Sequence, residues 1–220
     1  MKSLYSAFFD LDGTLTDPKP GITRCIQYAL ERLGFPVPAE DDLIWCIGPP
    51  LHASMKKFVG TDELAHRAVE LYRERFRDVG LYENEVYAGI EETLAKVAAG
   101  GRRLFVATSK PKVYADRIVE HFGLGRHFEH IFGSELDGTR TGKADLLAYA
   151  LTEAKLDPAQ AIMIGDRSHD VVGARKNGMK AIGVLYGYGS LAELMDAGAD
   201  YLCAAHPDVI PHCAVSRSLR

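Results

Sequence analysis

Short apolar runs that stop abruptly on polar, reactive residues recur along the chain. Residues 4–9 end in Phe8-Phe9 and meet Asp10-Leu11-Asp12-Gly13-Thr14. Residues 102–108 read RRLFVAT before Ser109-Lys110-Pro111, and Ala161–Gly165 reads AIMIG before Asp166. Apolar runs of this length, bounded by turn formers, predict buried strands. Residues 181–184 predict a further strand, and residues 130–132 and 201–202 predict two short ones. Between them the pattern predicts helices over Ile90–Ala99, 112–122, 143–154, Ser168–Lys176 and 191–197, each followed by a glycine or a polar break. Strand alternating with helix implies parallel pairing through crossover helices. The expected fold class is therefore α/β: a Rossmann-like, mostly parallel sheet with helices on both faces. Open sheets of this kind place ligands at the carboxyl ends of their strands, where the polar residues of this chain fall.

Residues 16–85 break the alternation. Helices are predicted over 22–33, 52–59 and 62–77 with no clear strand between them, and Pro36-Val37-Pro38 and Gly48-Pro49-Pro50 punctuate the interval. The expected organisation is a core of residues 1–15 and 86–220 with an inserted α-helical cap of residues 16–85. No internal repeat or low-complexity tract points to a solenoid or a linker.

Composition narrows the classes. Of 220 residues, 47% are hydrophobic and 25% charged, which is the balance of an ordered globular chain, and the net charge of -4 gives no footprint for a nucleic-acid polymer. The apolar run before Asp10 is too short for a secretory leader, and nowhere do about 18 uninterrupted apolar residues predict a membrane span. Cys25, Cys46, Cys203 and Cys213 form no CxxC pair, as expected of unlinked thiols in a reducing cytoplasm.

Two acidic sets carry the candidate chemistry. Asp10 and Asp12 lie two apart at a strand end, a spacing that directs both side chains to one side if extended geometry persists. Asp166 and Asp170, in GDRSHD, lie four apart and would share a helix face if the chain has entered a helix there. Like charges as close as Asp10 and Asp12 repel unless hydrogen bonds or a divalent cation compensate, which gives that pair a physical reason to sit in a catalytic pocket, and on a shared helix face Asp166 and Asp170 could serve magnesium. Taken singly, a plain turn accounts for the first set and a helix cap for the second. Gly138-Thr139-Arg140-Thr141-Gly142-Lys143 has a superficial likeness to a nucleotide-binding phosphate loop. Only three residues separate its glycines, however, and Ala144 stands where such a loop needs Ser or Thr. His127, His130 and His169 make no metal-ligand constellation, which argues against a zinc enzyme. Lys56 and Arg73 read as solvent-facing helical cations.

In combination, DLDGT, the Thr108-Ser109 strand end, Lys143 and GDRSHD, in that order, resemble the haloacid dehalogenase phosphatase superfamily with a helical cap. The resemblance implies Asp10 as nucleophile, Asp12 as acid and base, Thr108 as a phosphate ligand and Lys143 as its cationic partner. It also implies Mg2+ held by the Asp10 carboxylate, the Asp12 backbone carbonyl and Asp166, with Asp170 supporting the metal or its waters. LTDPKPGI, IGPPL, YRERF, GLYENEVYAGI, ATSKP and LDGTRTGKADLL are similar to bacterial 5'-nucleotidase-like and phosphoglycolate phosphatase-like members. The implied partner is a small phosphorylated metabolite, with a nucleoside 5'-monophosphate ranked above phosphoglycolate or another sugar phosphate. Its sugar or base is expected near Gly48-Pro49-Pro50-Leu51. A phosphate-binding regulatory module without turnover is the reading from a different class. It is disfavoured because nucleophile, acid, cation and metal acids are all present.

Overall fold

The structure, a computed structural model, describes residues 6–213. In chain order its elements are β1 (Ser6–Phe9), β2 (Thr16–Asp17), α1 (Lys19–Arg32), α2 (Leu51–Val59), α3 (Asp62–Arg75), β3 (Glu85–Val86) and α4 (Ile90–Ala99). There follow β4 (Arg103–Pro111), α5 (Lys112–His121), β5 (His130–Ser134), α6 (Lys143–Glu153), β6 (Ala161–Gly165), α7 (Ser168–Lys176), β7 (Lys180–Val184), α8 (Leu191–Asp196), β8 (Tyr201–Cys203) and α9 (Val209–Cys213). The described residues divide into two compact units, one of residues 6–15 and 86–213 and the other of residues 16–85.

The first unit is built on a six-stranded sheet of order β5-β4-β1-β6-β7-β8, and every neighbouring pair is parallel. Helices cover both faces, which is why β1 is buried at all four positions and reads as continuous apolar sequence instead of alternating. Pleating still sorts its side chains. Phe8, Phe105, Met163 and Ala181 point to the face covered by α6 and α7, in a core that also holds Leu146, Leu147, Val171 and Ala174. Phe8 stacks on Phe105 with centroids 4.9 Å apart, and Phe132 closes the cluster 6.0 Å from Phe105. Burying rings of this size stabilises by roughly 1.5–3 kcal/mol each. α5 packs against β4 and β5.

The strands differ from their expected bounds at the ends. Residues 4 and 5 of the first lie outside the described residues. β4 continues past Thr108 to Pro111, and β5 runs to Ser134 instead of 132. β7 begins one residue earlier than expected, and β8 ends one later.

The second unit packs α1 and α2 against α3. Thr61 caps α3 by accepting a hydrogen bond from the Leu64 N–H at 3.2 Å. α1 starts at Lys19, three residues before the predicted start, because Pro20 falls in the first turn, where a missing N–H costs nothing. A 3-10 helix over Glu40–Cys46 was not legible, and α3 ends at Arg75 in a π turn, Phe76–Gly80, instead of running to 77. Within this unit Arg75 holds Glu83 at 2.6 Å and donates to Cys25 Sγ at 3.3 Å. All four cysteines remain buried thiols. Among the described residues no helix is long and apolar enough to cross a membrane.

Candidate active site

Three loops at the carboxyl edge of the sheet converge on one point. β1 ends at Phe9, but the ladder carries one residue further, since the Asp10 N–H donates to the Ile164 carbonyl at 2.9 Å. Asp10 is thereby fixed at the mouth of the sheet, and its Oδ1 accepts from the Leu11 N–H at 2.8 Å. The chain then turns, with Leu15 N–H donating to the Leu11 carbonyl at 2.9 Å and Gly13 at φ +81°. Only glycine serves there, because the conformation is left-handed and a Cβ would lie 2.6 Å from Asp166 Cγ.

β6 supplies the second loop. Gly165 pairs with Gly183 at the end of the ladder, and a Cβ at Gly165 would lie against the Asp170 side chain. Asp166 follows in the turn. It accepts the Tyr188 N–H on Oδ2 at 2.8 Å, and the Thr14 hydroxyl stands 3.4 Å from its Oδ1. Asp170 lies in the first turn of α7, where its Oδ2 accepts the Arg167 N–H at 3.1 Å. The helix begins at Ser168, so the two acids do not share a helix face in the way their spacing suggests. They meet because the strand-to-helix turn folds one beside the other.

Lys143, the first residue of α6, comes from the third loop. It is buried, not solvated as helix-start lysines usually are, because α6 crosses α7 at Gly173. A Cβ there would be 2.9 Å from Lys143 Cγ and 3.1 Å from the Ala144 N–H nitrogen. Its Nζ donates to the Ala107 carbonyl at 2.8 Å and stands 3.0 Å from Asp10 Oδ1 and 2.7 Å from Asp170 Oδ1. The ion pair with Lys143 is the contact that Asp170 Oδ1 makes.

These contacts set the electrostatics. Burial pushes Asp166 well above the usual carboxylate range, with Asp170 and Asp10 adding to it. Burial also raises Asp170, to about 6, against the pull of Lys143. Burial opposes the charge of Lys143, yet Asp10 and Asp170 together outweigh it and raise its pKa. For Asp12, burial raises the pKa more than the adjacent Lys110 lowers it. One carboxylate oxygen each from Asp10, Asp166 and Asp170 lies within 4.8 Å of the others. Three buried carboxylates against one ammonium leave two negative charges when all are ionised. Hard oxygen donors and that charge together fit a divalent cation. Among the described residues no histidine or cysteine joins such a cluster.

The structure thus brings Asp10, Lys143, Asp166 and Asp170 together. The Asp12 carboxylate is not part of the three-carboxylate cluster and pairs with Lys110 Nζ at 2.8 Å. Thr108, buried within β4 next to Ala107 where the register with β5 shifts, has its hydroxyl engaged by the Lys110 N–H at 3.2 Å. Two features escaped the sequence reading. Lys110 lies in ATSKP, where the sequence gives no signal that it meets Asp12. The loop at residues 185–190 clasps Asp166 through the Tyr188 N–H, and its Tyr186 hydroxyl donates to the Thr14 carbonyl at 3.1 Å. The density of glycine in Gly187-Tyr188-Gly189 was the available signal for that close approach.

Comparison with known proteins agrees with this geometry. The chain is 51% identical over 197 residues to a 5'-nucleotidase of Pseudomonas aeruginosa, covering 89% of each protein. It is 40% identical over 212 residues to the tyrosine-protein kinase PtkA of Mycobacterium tuberculosis, covering 96% of this chain and 70% of that one. The crystal structure of a predicted phosphatase from Clostridium acetobutylicum superposes with a TM-score of 0.92 at 42% identity, covering 96% of this chain and 98% of the other. Residues 7–184 match the haloacid dehalogenase-like hydrolase family, a span that takes in Asp10, Asp12, Thr108, Lys110, Lys143, Asp166 and Asp170, and the chain belongs to that family.

Proposed function

We propose that this phosphatase hydrolyses nucleoside 5'-monophosphates through a phosphorylated Asp10, with magnesium as its metal. The mechanism class rests on the buried Asp10, Asp166 and Asp170 cluster in a haloacid dehalogenase-like hydrolase. The single observation that carries the substrate is the 51% identity to a 5'-nucleotidase across nine-tenths of both chains.

In this reading the Asp10 carboxylate attacks phosphorus in line, and the bond from phosphorus to the ester oxygen breaks. Asp12 gives that oxygen a proton as it leaves. Burial has raised the Asp12 pKa, the direction a proton donor requires. Asp12 then takes a proton from the water that attacks the phosphoaspartate, so phosphate departs and both carboxyls return to their starting states. Lys143, already 3.0 Å from Asp10 Oδ1, offsets the charge that gathers around the transferring group, and the Thr108 hydroxyl binds a phosphate oxygen. Asp10, Asp166, Asp170 and the main-chain carbonyl of Asp12 would hold magnesium. The bound ion would supply positive charge to the phosphoryl oxygens.

The relatives named tyrosine-protein kinase favour a second reading, in which the phosphoryl group passes to or from a protein tyrosine. One panel separates the two. Phosphate release with magnesium is measured over nucleoside 5'-monophosphates, phosphoglycolate, sugar phosphates and a phosphotyrosine peptide, alongside transfer from ATP to a tyrosine peptide. The proposal expects the highest kcat/KM for a nucleoside 5'-monophosphate. Dominance of phosphoglycolate or of the tyrosine substrates would overturn it.

A further inference from the structure

Lys110 owes its place to an irregularity in β4. The register with β5 runs as far as Thr108 opposite Gly133 and resumes at Pro111 opposite Ser134, so Ser109 and Lys110 form a bulge. Two hydrogen bonds pin it. Ser134 Oγ donates to the Ser109 carbonyl at 2.8 Å, and the Lys110 N–H donates to Thr108 Oγ1 at 3.2 Å. Gly133 leaves room where a Cβ would stand 2.7 Å from Lys112 Cα and 2.9 Å from the Lys110 carbonyl oxygen. The Lys110 ammonium reaches Asp12 Oδ2 at 2.8 Å, with only 6% of the lysine side chain and 12% of the aspartate side chain exposed. The other oxygen, Asp12 Oδ1, is buried and has no hydrogen-bond partner. At the site Lys143 pairs with Asp10 and Asp170, and Lys110 pairs with Asp12.

We infer that Lys110 is a positioning residue for the phosphatase reaction, holding Asp12 by Oδ2 so that Oδ1 alone exchanges protons with the leaving group and then with water. The inference rests on the reading of Asp12 as acid and base. An ammonium suits the task because it has donors and no acceptor, so it fixes the carboxyl without competing for the proton in flight. The balance closes on one atom. Oδ1–H protonates the ester oxygen as the bond to phosphorus breaks, and Oδ1 recovers a proton from the water that cleaves the phosphoaspartate.

Single-turnover quench measurements on K110M, D12N and the double variant test this, with two substrates. One is p-nitrophenyl phosphate, whose phenolate leaves without a proton. The other is whichever alkyl phosphomonoester the enzyme turns over best. K110M is expected to slow phosphoryl transfer from the alkyl ester about 10- to 100-fold and from p-nitrophenyl phosphate by no more than about threefold. Hydrolysis of the phosphoenzyme from either substrate should slow about 10- to 100-fold, and the double variant should be no slower than D12N. Equal losses on both esters, or losses that multiply in the double variant, would overturn the inference and mark Lys110 as a cation for the phosphoryl group or a part of the fold. Ordinary alkyl-ester rates in D12N would instead remove the reading of Asp12 itself. Urea melts check that K110M is folded, and K110Q, which keeps a donor on the side chain, replaces it where it is not.

Discussion

Replacing Lys143 by methionine keeps the aliphatic stem that lies over Gly173 and removes only the charge. The ammonium stands 3.0 Å from Asp10 Oδ1 and 2.7 Å from Asp170 Oδ1 with 3% of its side chain exposed, so both contacts are made away from water. Breaking a buried pair by removing one partner costs about 3–5 kcal/mol, because the remaining charge is left uncompensated. The loss should depend on pH. Asp170 has a folded pKa of about 6 against an ordinary 3.8, so it holds its proton in the folded state over that window. A group raised in this way lowers stability as pH rises from about 4 through 6, and removing Lys143 raises it further because the lysine was pulling it down. In metal-free protein the K143M deficit should thus approach its full about 3–5 kcal/mol at pH 7.5 and shrink by more than half at pH 5. Urea unfolding in the presence of a chelator, at both pH values, measures it. Magnesium should narrow the deficit at pH 7.5, while kcat with the metal present falls about 10²- to 10³-fold from the lost charge stabilisation. A deficit equal at the two pH values, or none at all, would refute the reasoning that Lys143 compensates the carboxylates.

Gly13→Ala forces a side chain into a left-handed turn and against Asp166, and should cost at least about 1–2 kcal/mol of stability and most of the magnesium affinity. Urea melts and isothermal titration with the metal read the two effects, and unchanged binding would show that Gly13 does not shape the metal site. Chelation should stop phosphate release and magnesium restore it. Magnesium at about 100 times its dissociation constant should stabilise the protein by about 2.7 kcal/mol, with a larger rise in Tm at pH 7.5 than at pH 5, because protons compete for Asp166 and Asp170. A rise independent of pH would place the metal elsewhere.

The parts legible in the sequence are those set by burial on both faces of a sheet. Phe8-Phe9, Val106-Ala107 and Met163-Ile164 sit in strands covered on both sides, so each strand reads as an apolar run and each functional residue as the polar position that ends it. Asp10 and Asp166, two of the three clustered carboxylates, stand at such positions. What the sequence does not carry is the contact between loops. Lys110 reaches Asp12 only through a two-residue bulge held by Gly133 and Ser134, residues more than twenty positions away. Lys143 is buried only because α6 meets α7 at Gly173. The spacing of Asp166 and Asp170 pointed to the right pair for a reason the structure replaces, since a turn and not a shared helix face brings them together. Short irregular elements, the 3-10 helix over Glu40–Cys46 and the two-residue strands β2 and β3, lack the length for a periodic signal.

The central claim is that Asp10 carries the phosphoryl group. Enzyme quenched in acid during turnover and reduced with borohydride converts an acyl phosphate to homoserine, which tandem mass spectrometry assigns to a single residue. With p-nitrophenyl phosphate, whose leaving group needs no proton, the account predicts homoserine at position 10 only when substrate and magnesium are present, more of it in D12N, where water attack on the phosphoaspartate is slowed, and none in D10N. Homoserine at any other aspartate, or full turnover with no trapped residue in D12N, would contradict it.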